Sequence, residues 1–214
     1  MICYTNHMII TKYTHSCFHI EKGNAAVLID IGNFTTKHYR LSDIKPFSAI
    51  LITHQHADHI DPALAHWLDH KNVAIYANQD VAESFPELSI TQVDDGVSFR
   101  IDGLDITPRN LPHCKMPDGS AGPPNTGYVI DGTFFHPGDG IEIDDLRVDT
   151  LAAPIAGPSV SLYSAVQLAR QVEAETIIPM HYDNPIFFND PNVLKERFTG
   201  ARVVILNETE SVEV

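Results

Sequence analysis

The stretch Leu51-Ile52-Thr53-His54-Gln55-His56-Ala57-Asp58-His59-Ile60-Asp61 sets three histidines and two aspartates directly behind the apolar run Ser48–Thr53, read SAILIT. A short continuous apolar run of this kind is expected of a strand buried on both faces, so the histidines fall where that strand ends. In an extended or turning segment, side chains two residues apart share a side, and His54 and His56 can offer imidazole nitrogens to one ion. Asp58 and His59 follow closely enough to serve a second ion. Imidazole with carboxylate is a donor set that suits zinc and its neighbours in the first transition row. A histidine-rich turn can also be plainly solvated. Here the spacing HxHxDH follows a buried-type strand and precedes Asp61-Pro62, which reads as a helix N-cap with proline at the first helical position. That context favours half of a two-metal site.

Outward from this stretch, Thr14–Ile20 and Ala25–Ile31 read as a hairpin across the turn-forming Glu21-Lys22-Gly23-Asn24, with Asp30 near the end of the second run. Residues 63–70 read as a short helix, Val73–Ala77 as a strand and Asp80–Phe85 as a helical connection, giving a β-α-β-α alternation. Asp102-Gly103 and Asp131-Gly132 each stand between two strand-like runs and are strong two-residue hairpin signals. The Pro- and Gly-rich segment from Met116 to Asn125 is expected to be a surface loop. Beyond it, Thr150–Ala153, Glu175–Met180 and Arg202–Leu206 read as strands, the last as the closing one. Ser159–Val172 and Asp190–Phe198 read as the helices between them. Two sheets packed together and covered outside by helices follow from this pattern, with residues 1–214 forming a single domain.

Composition narrows the function classes. The 214 residues carry 14 basic and 28 acidic side chains, a formal net charge of −14, and no Lys/Arg cluster stands out. A phosphate backbone would meet net repulsion, so nucleic acid is a disfavoured partner. The opening residues show no charged leader followed by an apolar run, and no segment reaches the roughly 18 apolar residues of a membrane span. The three cysteines, Cys3, Cys17 and Cys114, form no pairing pattern and suit a reducing compartment. A cytoplasmic protein without membrane partners is expected, with homo-oligomerisation left open.

Four donors in one turn cannot close two metal positions, so further His or Asp residues must come from elsewhere, each just after a strand. His113 in Asn110-Leu111-Pro112-His113-Cys114 stands in such a place. So do Asp139 in Phe135-His136-Pro137-Gly138-Asp139-Gly140 and His181 in Pro179-Met180-His181-Tyr182-Asp183. Singly, each is an ordinary loop residue; after HxHxDH, they read as a completing set.

The ordered series His15-Ser16-Cys17-Phe18, Leu28-Ile29-Asp30, Thr53 to His59, His113, Gly138-Asp139 and Pro179-Met180-His181-Tyr182 resembles the metallo-β-lactamase fold superfamily. Within it, the chain resembles the small metal-dependent hydrolases of the L-ascorbate-6-phosphate lactonase group. The resemblance runs over nearly the whole chain and implies an α/β (α+β) four-layer αββα sandwich. It also implies that His54, His56 and His113 bind one metal, that Asp58, His59 and His181 bind the other, and that Asp139 bridges them. Asp30 would orient a ligand histidine. His15 is kept outside the ligand set as a residue near the site, with a packed strand histidine as the alternative. Gly140 is a departure, because many relatives carry a small hydroxyl residue there.

The expected activity is hydrolysis by hydroxide bridging two divalent metals, directed at the carbonyl or phosphoryl centre of a small-molecule lactone, ester, amide or phosphorylated metabolite. Zinc is the default, with manganese, iron or nickel fitting the same donors. Asp58 is the expected acid/base residue. Alternatives are a phosphodiesterase or nuclease of the same fold, a di-iron redox enzyme, for which no flavin-binding half follows, and a non-catalytic metal-binding scaffold. His66 and His70 are read as solvated, as are His7, His19, His38 and His136, the last retained as a weak outer contact. Trp67 is read as core and Tyr182 as packing. Lys115, Arg109 and Asn125 are read as surface residues with some capacity for anion contact. No residue is assigned to substrate binding.

Overall fold

The computed structural model describes residues 7–68 and 71–214. Cys3, the opening residues 1–6 and His70 lie outside the described residues. In the first half, β1 (Ile9–Lys12), β2 (Phe18–Lys22) and β3 (Ala25–Ile29) run antiparallel. After α1 (Asn33–His38) come β4 (Ala49–Leu51), α2 (Leu64–Trp67), β5 (Ala74–Ala77), α3 (Gln79–Ser84) and β6 (Ile90–Gln92). These three strands add in parallel beyond β3.

The second half opens with an antiparallel meander of β7 (Phe99–Ile101), β8 (Leu104–Asn110), β9 (Thr126–Ile130) and β10 (Phe134–His136). Its two tight turns are Asp102-Gly103 and Asp131-Gly132, all four residues at positive φ as the mirror-image hairpin turn requires. Parallel strands follow: β11 (Thr150–Pro154), then α4 (Leu162–Gln171), β12 (Thr176–Met180), α5 (Pro191–Arg197) and β13 (Arg202–Val203). Finally β14 (Ser211–Glu213) crosses back and pairs with β1. The result is two seven-stranded sheets, ordered β14-β1-β2-β3-β4-β5-β6 and β13-β12-β11-β10-β9-β8-β7.

Strand periodicity explains the layers. Ile10, Ile20, Ile29 and Leu51 of the first sheet meet Ile106, Tyr128, Phe134 and Ile178 of the second in a central core. The alternate residues Leu28, Ile50 and Ile75 face outward onto Leu64 and Val81 of the adjacent helices. On the other side Leu151, Ala153 and Ile177 pack against Ala165, Leu168 and Leu194. The Ala49–Leu51 strand at the centre of SAILIT is apolar at every position because both faces of its sheet are covered. This is the four-layer αββα sandwich expected from the sequence.

Several local expectations are corrected. Thr14–Cys17 is a turn, closed by Cys17 N–H to Thr14 O at 2.8 Å, and the strand starts only at Phe18. Asp61 does not cap α2 directly; its Oδ1 accepts Ala63 N–H at 2.7 Å, and the helix begins a turn later at Leu64. The closing strand is β14, because the chain returns to the first sheet. His19 and His136 are fully buried, not solvated: His19 Nε2 lies 2.8 Å from Pro46 O and His136 Nε2 2.9 Å from Ser16 O. Asn125, read as a surface residue, is buried too. Trp67 is half-buried at the edge of the outer core. Among the described residues, no helix is long and apolar enough to cross a membrane.

Candidate metal centre

Both sheets send their loops to one end of the sandwich. Asp30 follows β3, His54 to His59 follow β4, His113 follows β8, Asp139 follows β10 and His181 follows β12, while His15 sits in the turn between β1 and β2. Ligand-bearing loops beyond the carboxyl ends of parallel strands are a general feature of α/β folds. Here the sandwich brings two such sets face to face.

Every sequence-derived donor lies in this place, in two clusters. His54, His56, His113 and Asp139 form one; His15, Asp58, His59 and His181 form the other. Within each, one nitrogen or oxygen per residue lies within 4.8 Å of all the others. In the first cluster His54 Nε2 is 3.1 Å from His56 Nδ1 and 3.3 Å from His113 Nε2. In the second, Asp58 Oδ2 is 3.2 Å from His15 Nε2 and 3.6 Å from His181 Nε2. Asp139 joins the clusters, with Oδ1 3.1 Å from His59 Nε2 and 3.2 Å from His181 Nε2, and Oδ2 3.5 Å from His113 Nε2. His15, expected outside the ligand set, thus has its Nε2 among the donor atoms of the second cluster.

The far nitrogens are held by the protein. His113 Nδ1 donates to Cys114 O at 2.7 Å, and His181 Nδ1 donates to Ala156 O at 2.8 Å, so both rings turn an Nε2 lone pair inward. His59 Nδ1 lies 2.6 Å from Asp30 Oδ2, whose carboxylate also accepts Thr53 N–H and Thr53 Oγ1–H at 2.9 Å. A carboxylate behind a histidine fixes ring orientation and raises basicity, a common support in metal sites.

Asn125, read from the sequence as an anion contact, and His136, read as a weak outer contact, complete the frame. Asn125 Oδ1 accepts Asp139 N–H at 3.2 Å and its Nδ2 donates to Pro137 O at 2.9 Å, so Asn125 holds the Asp139 loop and is not an anion contact. His136 Nδ1 accepts Gly138 N–H at 3.2 Å from within the same loop. Gly138 has φ +59, and a Cβ there would collide with Asn125 and Thr53. A Cβ at Gly32 would fall onto the backbone of Asp58, so glycine at 32 lets the HxHxDH turn approach β3. Of the other proposed anion contacts, Lys115 is exposed, and Arg109 points to Asp144 O at 3.1 Å.

The electrostatics fit a cationic guest. His59 Nε2, His181 Nε2 and Asp139 Oδ1 are buried without any hydrogen-bond partner. Such orphaned groups are costly in a folded protein unless something satisfies them. Burial works against ionised Asp139, yet the facing His181 and His59 hold its carboxyl well below the usual range. Burial likewise opposes ionised Asp58, but the hydrogen bond from His15 and the neighbouring His181 keep its carboxyl strongly depressed. Burial and neighbouring imidazoles push His54 well below its ordinary value and His15 down to about 4. His59 goes the other way: burial is outweighed by Asp139 and Asp30, which raise it well above the ordinary value. Imidazoles gathered around two anionic carboxylates are a nitrogen and oxygen donor set matched to divalent transition metals, whose binding would displace the protons that His59 holds. The residues present therefore fit the metal pair that the sequence implies.

A family description for the beta-lactamase superfamily domain matches residues 9–181, a span that contains every donor named above. The chain belongs to the metallo-β-lactamase superfamily. Protein Rv0786c of Mycobacterium tuberculosis is 31% identical to it over 184 residues, covering 81% of this chain and 84% of that protein. A UPF0173 metal-dependent hydrolase of Pyrococcus horikoshii is 31% identical over 232 residues, covering 97% of this chain and all 100% of the relative. Among solved structures, Igni18, a metallo hydrolase from Ignicoccus hospitalis, superposes with a TM-score of 0.78 at 23% identity, over 97% of this chain and 98% of that one. The superfamily expectation is met in fold and, at the coarse level, in enzyme class: the chain is a metal-dependent hydrolase of the metallo-β-lactamase superfamily.

Proposed function

We propose that this protein hydrolyses a carbonyl or phosphoryl bond in a small molecule with the help of two divalent cations. The observation that carries this reading is the split carboxylate of Asp139, which presents Oδ1 to His59 and His181 and Oδ2 to His113. On this reading His54, His56 and His113 hold one cation, Asp58, His59 and His181 hold the other, and Asp139 bridges. Divalent cations, when bound, supply Lewis acidity and bring the pKa of water from ~15.7 toward neutrality, which makes hydroxide available at cellular pH.

Asp58 is the residue we assign to proton handling. Its side chain is 24% exposed, against 5% for Asp139, so it is the carboxylate of the two clusters most open to an incoming molecule. Facing His15 and His181 and open on its other side, it is placed to take a proton from an incoming molecule and pass it on. Asp30 acts through His59 by fixing its ring. Thr53, bonded to Asp30 by both its backbone and its hydroxyl, keeps that carboxylate in place.

Both clusters are rich in imidazole, which makes zinc the first choice, while manganese, iron or nickel fit the same nitrogen and oxygen donors. The net charge of −14 favours a small molecule over a nucleic acid, and the lactonase-like resemblance makes lactones and phosphorylated metabolites the first substrates to screen. Cys17 and Cys114 are free and buried, in keeping with a cytoplasmic setting. All donors come from one chain of one domain, so the site needs no second copy to be complete.

The test is elemental analysis of protein purified without chelator, for the wild type and for Asp139→Ala. About two divalent ions per chain in the wild type, with loss in the variant, supports the reading and names the metal. Little or no metal, even after incubation with zinc or manganese, defeats it and leaves a scaffold as the better account.

A further inference from the structure

Lys12, the last residue of β1, is almost wholly buried, an unusual place for a lysine. Its Nζ lies 3.1 Å from Asp183 Oδ2, donates to Tyr13 O at 3.3 Å and sits 4.9 Å over the Tyr182 ring. The same Asp183 oxygen accepts the backbone N–H of His15 at 2.6 Å. His15 O in turn accepts the backbone N–H of His181 at 3.3 Å. A chain of contacts therefore runs from the buried ammonium through Asp183 to the backbones of two histidines.

Both histidines need holding. His15 has φ +56 and His181 has φ +65, left-handed conformations that non-glycine residues adopt only when their surroundings impose them. Their rings pack with centroids 3.8 Å apart, and both Nε2 atoms face Asp58 Oδ2. If either backbone relaxed to negative φ, its ring would leave that position.

We propose that Lys12 and Asp183 form a clamp across the two sheets that sets His15 and His181 against Asp58, so that both act as positioning residues for the second cluster. The charge of Lys12 pins one Asp183 oxygen, and that oxygen fixes the His15 turn. A methionine would fill the same space in β1 without a buried charge, so packing alone does not account for lysine there. The consequence for metal binding rests on the two-cation reading above; the consequence for the histidines does not.

Removing one partner of a buried ion pair can unfold a protein, whereas removing both is far better tolerated. The variant of choice is therefore the double substitution Lys12→Met/Asp183→Leu, with Lys12→Met alone beside it. Nitrogen NMR of the histidine rings in chelator-treated protein reads the clamp directly. The clamp predicts that the His15 and His181 signals move or broaden in the double variant while those of His54, His56 and His113 stay. Zinc titration by calorimetry then reads the consequence: one equivalent binds as in the wild type, and the other is weakened by about 10- to 100-fold, the usual effect of losing a ligand's support. Unchanged His15 and His181 signals, or an equal loss at all five histidines, would overturn the clamp. Wild-type protein that takes up no zinc defeats the two-cation reading alone, because the ring signals still decide the clamp.

Discussion

Asp30 Oδ2 lies 2.6 Å from His59 Nδ1, with both side chains wholly shielded from solvent. The pair joins the end of β3 to the HxHxDH turn and leaves His59 Nε2 facing Asp139. Asp30→Asn is expected to loosen His59 and weaken the second cation by about 10- to 100-fold, because the ring loses a charged orienting partner. It is also expected to cost about 3–5 kcal/mol of stability, as breaking a buried charged pair commonly does. Zinc titration and urea denaturation check the two effects separately; an unchanged second equivalent would show that Asp30 does not act through His59.

A methyl group separates two kinds of glycine in this chain. At Gly32 the added Cβ meets the Asp58 backbone, whereas at Gly23 it meets nothing and only the left-handed φ of +62 is affected. Gly32→Ala is expected to displace the turn carrying Asp58, lower stability by about 1–3 kcal/mol through overpacking, and reduce metal content. Gly23→Ala is expected to cost about 1 kcal/mol and leave metal content alone. Equal metal content in both variants would mean that the close approach at Gly32 does not set the Asp58 position.

Burial holds His136 below its ordinary value of 6.5. A histidine depressed in the folded chain takes up its proton more readily when unfolded. Its contribution to stability is therefore complete above pH 6.5 and lost as pH falls from there toward the folded value. His59 and His181, both raised, act in the opposite sense, so the net slope mixes signs. His136→Gln, which keeps a donor for Ser16 O and an acceptor for Gly138 N–H, removes one depressed titration. Thermal unfolding of the metal-free variant is expected to fall less between pH 7.5 and pH 5.5 than that of the wild type by about the share of one histidine. Parallel curves would indicate that His136 titrates alike in both states.

What was legible in the sequence had contiguous causes. SAILIT shows a strand covered on both faces because its four central residues, Ala49 to Ile52, are all apolar, and Asp102-Gly103 shows a hairpin because its turn demands positive φ at two adjacent positions. The donors of the HxHxDH turn lie within six residues, so their common purpose is visible without the fold. Asn125 was illegible because its partner Asp139 arrives from the far end of a hairpin. His15 read as a strand residue because Thr14–Ile20 is rich in strand formers; its left-handed turn meets Asp183, which comes from the loop after β12 and accepts its backbone N–H. The burial of His19 and His136 carried no signal, since a buried histidine is satisfied by a carbonyl from elsewhere and carbonyls have no sequence; only the outer contact of His136 could be guessed, from its nearness to Asp139. Strands β1 and β14 are short and were missed together, each being half of a pair formed at the chain's greatest separation.

That pairing bears on how the chain is made. Thr11 and Ser211 are 200 positions apart, so the outer edge of β1, Ile9 to Lys12, is translated long before its partner Ser211–Glu213. Until then β1 presents unpaired amides on an edge of the sheet, a template that a neighbouring nascent chain can match. Lys12 and the small polar Thr11 blunt that edge in sequence, and in the finished fold Thr11 Oγ1 meets Ser211 Oγ at 2.8 Å. β14 therefore serves less as a wall of the sandwich than as a cover that retires an aggregation-prone edge once it has been made.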